Sequence, residues 1–153
     1  MVALNTPADT AATTRRVIVC AGTGCVANGA YEVLRAFSQR VEAAGLKVSV
    51  EYRPEAARDE LALTKSGCQG FCQMGPLVTI LPENILYTRV RVADVTESVA
   101  STLLGGQVIE RLLFVDPATG GHCHGTDRIP FYQRQRRFVL HQCGTIDPEN
   151  LAE

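Results

Sequence analysis

The chain has 153 residues, 46% of them hydrophobic and 20% charged, and its 15 Lys and Arg against 16 Asp and Glu leave a net charge of -1. That length suits one domain with a short appendage, and the absence of a basic excess speaks against a nucleic-acid partner. No stretch of about 18 apolar residues is present to span a membrane. The opening segment, "MVALNTPADTAATTRR", lacks the basic-then-apolar order of a secretory signal and reads as a disordered leader over residues 1–15. Six cysteines without a signal point to a reducing cytoplasm, where metal or redox use is a better reading than a disulfide framework.

In chain order, "RRVIVCAG" predicts a short β-branched strand ending at Cys20. An amphipathic helix follows, with Val26, Ala30, Val33, Leu34, Phe37 and Val41 on one face and Gly45 at its stop. "LKVSVEY" alternates Leu46, Val48 and Val50 as a half-buried strand. "RPEAARDELALTK" reads two ways: Pro54 can open a short helix, and "LALTK" can be a strand running into Cys68. "PLVTILPENILYTRV" predicts a β-hairpin that turns at Pro82, Glu83 and Asn84. In "ADVTESVASTLLGG", Asp94 and Glu97 predict a capping box, Val95, Val99 and Leu103 a buried stripe, and Gly105 and Gly106 the end of a helix. The order predicts an α/β sandwich with mixed sheet and flanking helices over residues 16–106. A glycine-rich linker over 107–128 follows, containing "DPATGGHCHGTDR". Over 129–153, "IPFYQRQRRFVLHQCG" predicts a basic, aromatic-bearing helix from Pro130 to Gly144. Asp147 and Pro148 then open another helix, too short to hold itself together in water, so that a following domain or a docking partner is expected.

The chemistry lies in the pattern Cys20-x4-Cys25…Cys68-x3-Cys72, with both pairs in loops after strands. Four thiolates can enclose a [2Fe-2S] cluster, two per iron. Gly22 and Gly24 in one loop, and Gly67 and Gly70 in the other, allow the backbone to approach and turn N–H groups toward sulfur. Structural zinc also uses four cysteines in pairs two to four apart, and the spacing leaves it open. No CxxC motif is present for a thioredoxin-type dithiol.

Three blocks carry a family resemblance: "VIVCAGTGCVANGAYEVLRAF", "SGCQGFCQMGPLVTILPENILY" and "RIPFYQRQRRFVLHQCGTIDPE". Together they resemble the N-terminal part of the NADH-binding flavoprotein subunits of complex I-like enzymes. These are the long forms found in NAD(P)-linked and electron-bifurcating [FeFe] hydrogenases and related NADH:acceptor oxidoreductases. The resemblance implies a thioredoxin-like ferredoxin fold carrying one [2Fe-2S] cluster on Cys20, Cys25, Cys68 and Cys72, with other subunits of such a complex as partners. "EYRPEAARDE" is extra sequence relative to that pattern. The family's FMN and NADH loop and its four-cysteine [4Fe–4S] site have no counterpart in these residues. FMN and NAD(H) are therefore expected only in a remainder or a partner, and the chain alone is not expected to oxidise NADH. A homo-oligomer is compatible with this reading.

Four leftover features have plain readings. Cys123, between His122 and His124, and Cys143 read as a flexible polar loop and a small buried thiol rather than a second metal site. Arg134, Arg136 and Arg137 read as a solvated or subunit-facing side. Phe131, Tyr132 and Phe138 read as packing anchors. The Gly75–Pro76 bond, ahead of a strand, is expected to be cis by the same resemblance.

Overall fold

The structure is a computed structural model and describes residues 15–49, 60–144 and 146. The leader up to residue 14, the Pro54 segment and the final helix at Asp147 and Pro148 lie outside the described residues. Among the described residues, no helix is long and apolar enough to cross a membrane.

A five-stranded mixed sheet forms the centre, ordered β2-β3-β1-β4-β5. Strand β1 (Arg16–Cys20) lies in the middle because Val17, Ile18 and Val19 are apolar on both faces, as a doubly covered strand requires. It runs parallel to β3 (Glu60–Ser66), in a register that sets Cys20 opposite Ser66. On its other side it runs antiparallel to β4 (Val78–Leu81). Strand β2 (Lys47–Ser49) pairs parallel with β3, and β5 (Ile85–Tyr87) closes the predicted hairpin with β4. The "LALTK" segment is thus a strand.

The predicted first helix is two helices. Helix α1 (Thr23–Ala27) ends where the Asn28 side chain donates to the Gly24 carbonyl at 2.8 Å. Gly29, at φ +92°, turns the chain into α2 (Ala30–Ala43). The buried stripe of Ala30, Val33, Phe37 and Val41 stands as predicted and packs on β1 and β3, while Val26 is only half-buried in α1. Gly45, at φ +72°, follows the C-cap.

Helix α3 (Val92–Glu97) continues as a π-helical segment over Ser98–Leu104. The predicted capping box shifts by one partner. Asp94 is the third helical residue, and its carboxylate accepts the Arg91 backbone N–H at 2.8 Å. Glu97 pairs with Arg111 instead. The wider π turn lets Ser98 and Thr102 join Val95, Val99 and Leu103 on the buried side. There the Tyr87 hydroxyl donates to Thr102 Oγ1 at 2.6 Å and accepts the Ile109 N–H at 3.0 Å, while Thr102 donates to the Gln107 carbonyl at 2.9 Å.

Residues 107–128 do not behave as a free linker. Leu113 bridges to Tyr87, and β6 (Phe114–Val115) pairs with β7 (His122–Cys123) in a small hairpin. Ile109, Leu112, Leu113 and Cys123 join the core. The glycines that suggested a linker serve the hairpin turn, where Gly120 at φ +70° donates to the Asp116 carbonyl.

The predicted helix from Pro130 to Gly144 is short. Pro130 does occupy its first turn, but α4 covers only Pro130–Gln133, and turns follow to Gly144. Polar anchors replace the helical ladder there, because the Arg137 side chain turns inward onto backbone carbonyls. Phe138 is not a packing anchor; it is 86% exposed, next to exposed Val139 and Leu140. The anchors are Ile129, fully buried, together with Phe131 and half-buried Tyr132. Helices α2 and α3 pack against each other on one side of the sheet. On the other side Ile18 and Thr79 meet Tyr132, Arg137 and Gly144 across a groove of about 420 Å³.

Candidate metal centre

Two loops at one end of the β1–β3 pair bring the four predicted cysteines together. Cys20 is the last residue of β1 and Cys25 sits in α1, and both are buried. Cys68 and Cys72 flank the turn after β3, and both are exposed. The parallel register is what places the loops side by side, since the Ala21 N–H donates to the Ser66 carbonyl at 2.9 Å just before they diverge.

The thiols gather as two pairs. Cys68 and Cys72 lie 3.9 Å apart, sulfur to sulfur. Cys20 and Cys25 shift each other's acidity in opposite directions. Hydrogen bonding from Cys25, opposed by burial and helped by the N–H groups of Gln69 and Gly22, lowers the Cys20 pKa to about 6. The same contact, with burial, pushes the Cys25 thiol far up. Cys68 raises Cys72 by hydrogen bonding and charge. The two pairs are brought together where the first loop meets the second, Gly22 against Cys68 and Gly24 against Cys72. A donor set of two thiol pairs is what a two-iron centre takes, two thiolates per iron.

Glycines set how close the loops can come. A Cβ on Gly22 would lie 2.9 Å from Cys68 Cβ, and one on Gly24 would lie 3.1 Å from Cys72 Cβ. These are the close approaches predicted for the first loop. The second loop differs from expectation. Gly70, at φ +86°, donates its N–H to Cys68 Sγ at 3.3 Å, as predicted, but Gly67 has open space where a Cβ would stand. Two participants went unread in the sequence. The Gln69 N–H donates to Cys20 Sγ at 3.5 Å, and Gly75 leaves room for Cys25, whose sulfur would meet a Cβ at 2.7 Å. Gly75 belongs to the same "CQMGP" run, and its bond to Pro76 is cis, as expected.

The remaining cysteines stand apart. Strand alternation turns Cys123 inward and leaves His122 and His124 exposed, so the three cannot converge on one ion. Burial pushes the Cys123 thiol up. Cys143 is half-buried, and its carbonyl accepts from Arg137.

Comparison with known proteins agrees with this arrangement. The family model for the thioredoxin-like [2Fe-2S] ferredoxin matches residues 8–102. A 2Fe-2S ferredoxin from Aquifex aeolicus is 32% identical over 89 residues, covering 58% of this chain and 71% of that protein. Another from Clostridium pasteurianum is 28% identical over 88 residues, covering 58% and 76% respectively. The solved structure of a thioredoxin-like [2Fe-2S] ferredoxin from Aquifex aeolicus superposes with a TM-score of 0.53 at 27% identity, over 72% of this chain and 98% of that one. Two further solved structures of the Aquifex protein are serine variants of cysteines four positions apart, the separation of Cys68 and Cys72. With a mixed sheet, flanking helices and paired thiols at its end, the chain belongs to the thioredoxin-like [2Fe-2S] ferredoxin family, which implies a [2Fe-2S] cluster.

Proposed function

We propose that the chain transfers single electrons through a [2Fe-2S] cluster held by Cys20, Cys25, Cys68 and Cys72. One observation carries this reading: two thiol pairs face each other across glycines whose missing Cβ atoms let the loops approach. When bound, the cluster supplies a reversible one-electron couple. The chain supplies the rest. It buries Cys20 and Cys25, leaves Cys68 and Cys72 exposed to an approaching partner, and directs the N–H groups of Gln69 and Gly70 at Cys20 and Cys68.

The test is a visible spectrum and a reduced-state EPR spectrum of anaerobically purified protein, with iron and acid-labile sulfide counted. Two irons and two sulfides per chain, with colour bleached by dithionite, support the reading. A colourless protein with one zinc refutes it.

The finer setting is an NADH-linked oxidoreductase of the complex I-like or hydrogenase type, supported by the three sequence blocks quoted above. In that setting a partner flavoprotein binds FMN and NAD(H), and this chain receives or passes on one electron at a time. A groove of about 930 Å³ is lined by Phe71, Gln73 and Met74 of the second cysteine loop, by the arginines Arg89, Arg91, Arg111 and Arg134, and by the aspartates Asp94 and Asp116. Its arginines outnumber its aspartates, and a net positive lining suits an acidic redox partner, because charge complementarity steers association. Electron exchange with the flavoprotein subunit is expected to slow as salt rises, read by stopped-flow absorbance. A rate indifferent to salt would count against this docking face.

A further inference from the structure

The cysteine loop and the C-terminal segment meet at a single peptide group. The Gln69 carbonyl accepts two hydrogen bonds, from the Tyr132 hydroxyl at 3.1 Å and from Arg137 Nη2 at 2.5 Å. The N–H of that same peptide unit belongs to Gly70 and donates to Cys68 Sγ at 3.3 Å. The guanidinium of Arg137 thus reaches the thiol through one amide.

The contact is closely fitted. Arg137 is half-buried, its Nε bonds Gln135 Oε1 at 3.1 Å, and its guanidinium carbon lies 5.2 Å from the Tyr132 ring centre. Two glycines with positive φ make room for it. A Cβ on Gly70 would stand 2.6 Å from Arg137 Nη2, and one on Gly144 would stand 2.7 Å from Gln69 Cγ. Tyr132 packs edge-on against Phe71, inside the same loop, with ring centres 5.6 Å apart.

A cation bound to a carbonyl oxygen draws electron density through the amide and makes its N–H a stronger donor, since hydrogen bonds in series polarise one another. Donors to cluster sulfurs favour the reduced state, which carries one more negative charge than the oxidised state. A fixed positive charge nearby acts in the same direction. We propose that Arg137 is a positioning residue for electron transfer, raising the reduction potential of the centre through the Gln69–Gly70 peptide. This rests on Cys68 being a ligand. It assigns a role to a segment beyond the 8–102 family match.

The experiment compares the full chain with Arg137→Gln, Arg137→Lys and Arg136→Gln. The last removes the same charge from an exposed neighbour. Each is loaded, its iron and sulfide counted, and its midpoint potential measured by dithionite titration with EPR detection. Arg137→Gln should keep two irons and move to a more negative potential, Arg137→Lys should move less, and Arg136→Gln should stay at the wild-type value. An unshifted potential in fully loaded Arg137→Gln overturns the proposal, as does an equal shift in Arg136→Gln. Should Arg137→Gln fail to take up iron, the lysine variant decides: a lowered potential supports the role, and a wild-type value overturns it. A wild-type protein without an iron–sulfur spectrum would instead defeat the underlying electron-carrier reading.

Discussion

At the scale of single residues, the site depends as much on absent side chains as on thiols. Gly75→Ala would put a methyl group 2.7 Å from Cys25 Sγ, closer than real Cβ atoms come to a neighbour. The expected outcome is a folded protein with lowered iron content, measured against protein concentration; full loading would show that Cys25 can move aside. Cys68→Ser or Cys72→Ser should lose the visible spectrum, whereas Cys123→Ser should keep it. The latter is still expected to cost about 1–3 kcal/mol in urea unfolding, because a hydroxyl replaces a thiol in a buried apolar place. That the four cysteines would come together was legible in the sequence because thiol spacing is a local pattern. Gln69 was not, since its part is played by its backbone, and backbone donors carry no residue-type signal. Arg137 was misread for a related reason: a run of arginines does not reveal which one turns inward.

At the scale of elements, periodicity located the strands and the buried faces but not the interruptions. The stripe from Ala30 to Val41 was readable because a core-facing helix must repeat it. The break at Asn28 and Gly29 was hidden, since Val26 continued the same pattern through it. The π segment was hidden too, because the contact beside it, Tyr87 hydroxyl on Thr102, joins residues of separate elements and leaves no local pattern. That network gives a test of its own. Tyr87→Phe would leave the buried Ile109 N–H without its acceptor and is expected to cost about 1–3 kcal/mol by chemical denaturation. A change below about 0.5 kcal/mol would place the stability of the π turn elsewhere.

At the scale of the molecule, the α/β class followed from the order of elements, while the extent of packing did not. Residues 107–144 read as linker and helix because of the glycines in "DPATGGHCHGTDR" and the Pro130 and Gly144 that bracket the basic segment. Their long-range anchors are few and scattered: Leu113 against Tyr87, Cys123 in the core, Ile129 fully buried and Tyr132 on the cysteine loop. Such contacts leave no period to detect. If this segment belongs to the same cooperative unit as the sheet, Ile129→Ala should lower global stability by about 2–4 kcal/mol while the protein still unfolds in one transition. Circular dichroism and the cluster absorbance, followed together, would check this. A separate early transition confined to the C-terminal segment would show it to be an independent unit.

The register of β1 on β3 reaches further than geometry. Cys20 faces Ser66 at the last paired position, and a slip of one residue would turn Cys20 to the opposite face of the sheet. The two halves of the centre, far apart along the chain, come into range only once that pairing is correct. With the four cysteines as ligands, as proposed above, iron uptake is expected to favour the correctly paired chain, because that register completes the site and gains the ligand bonds.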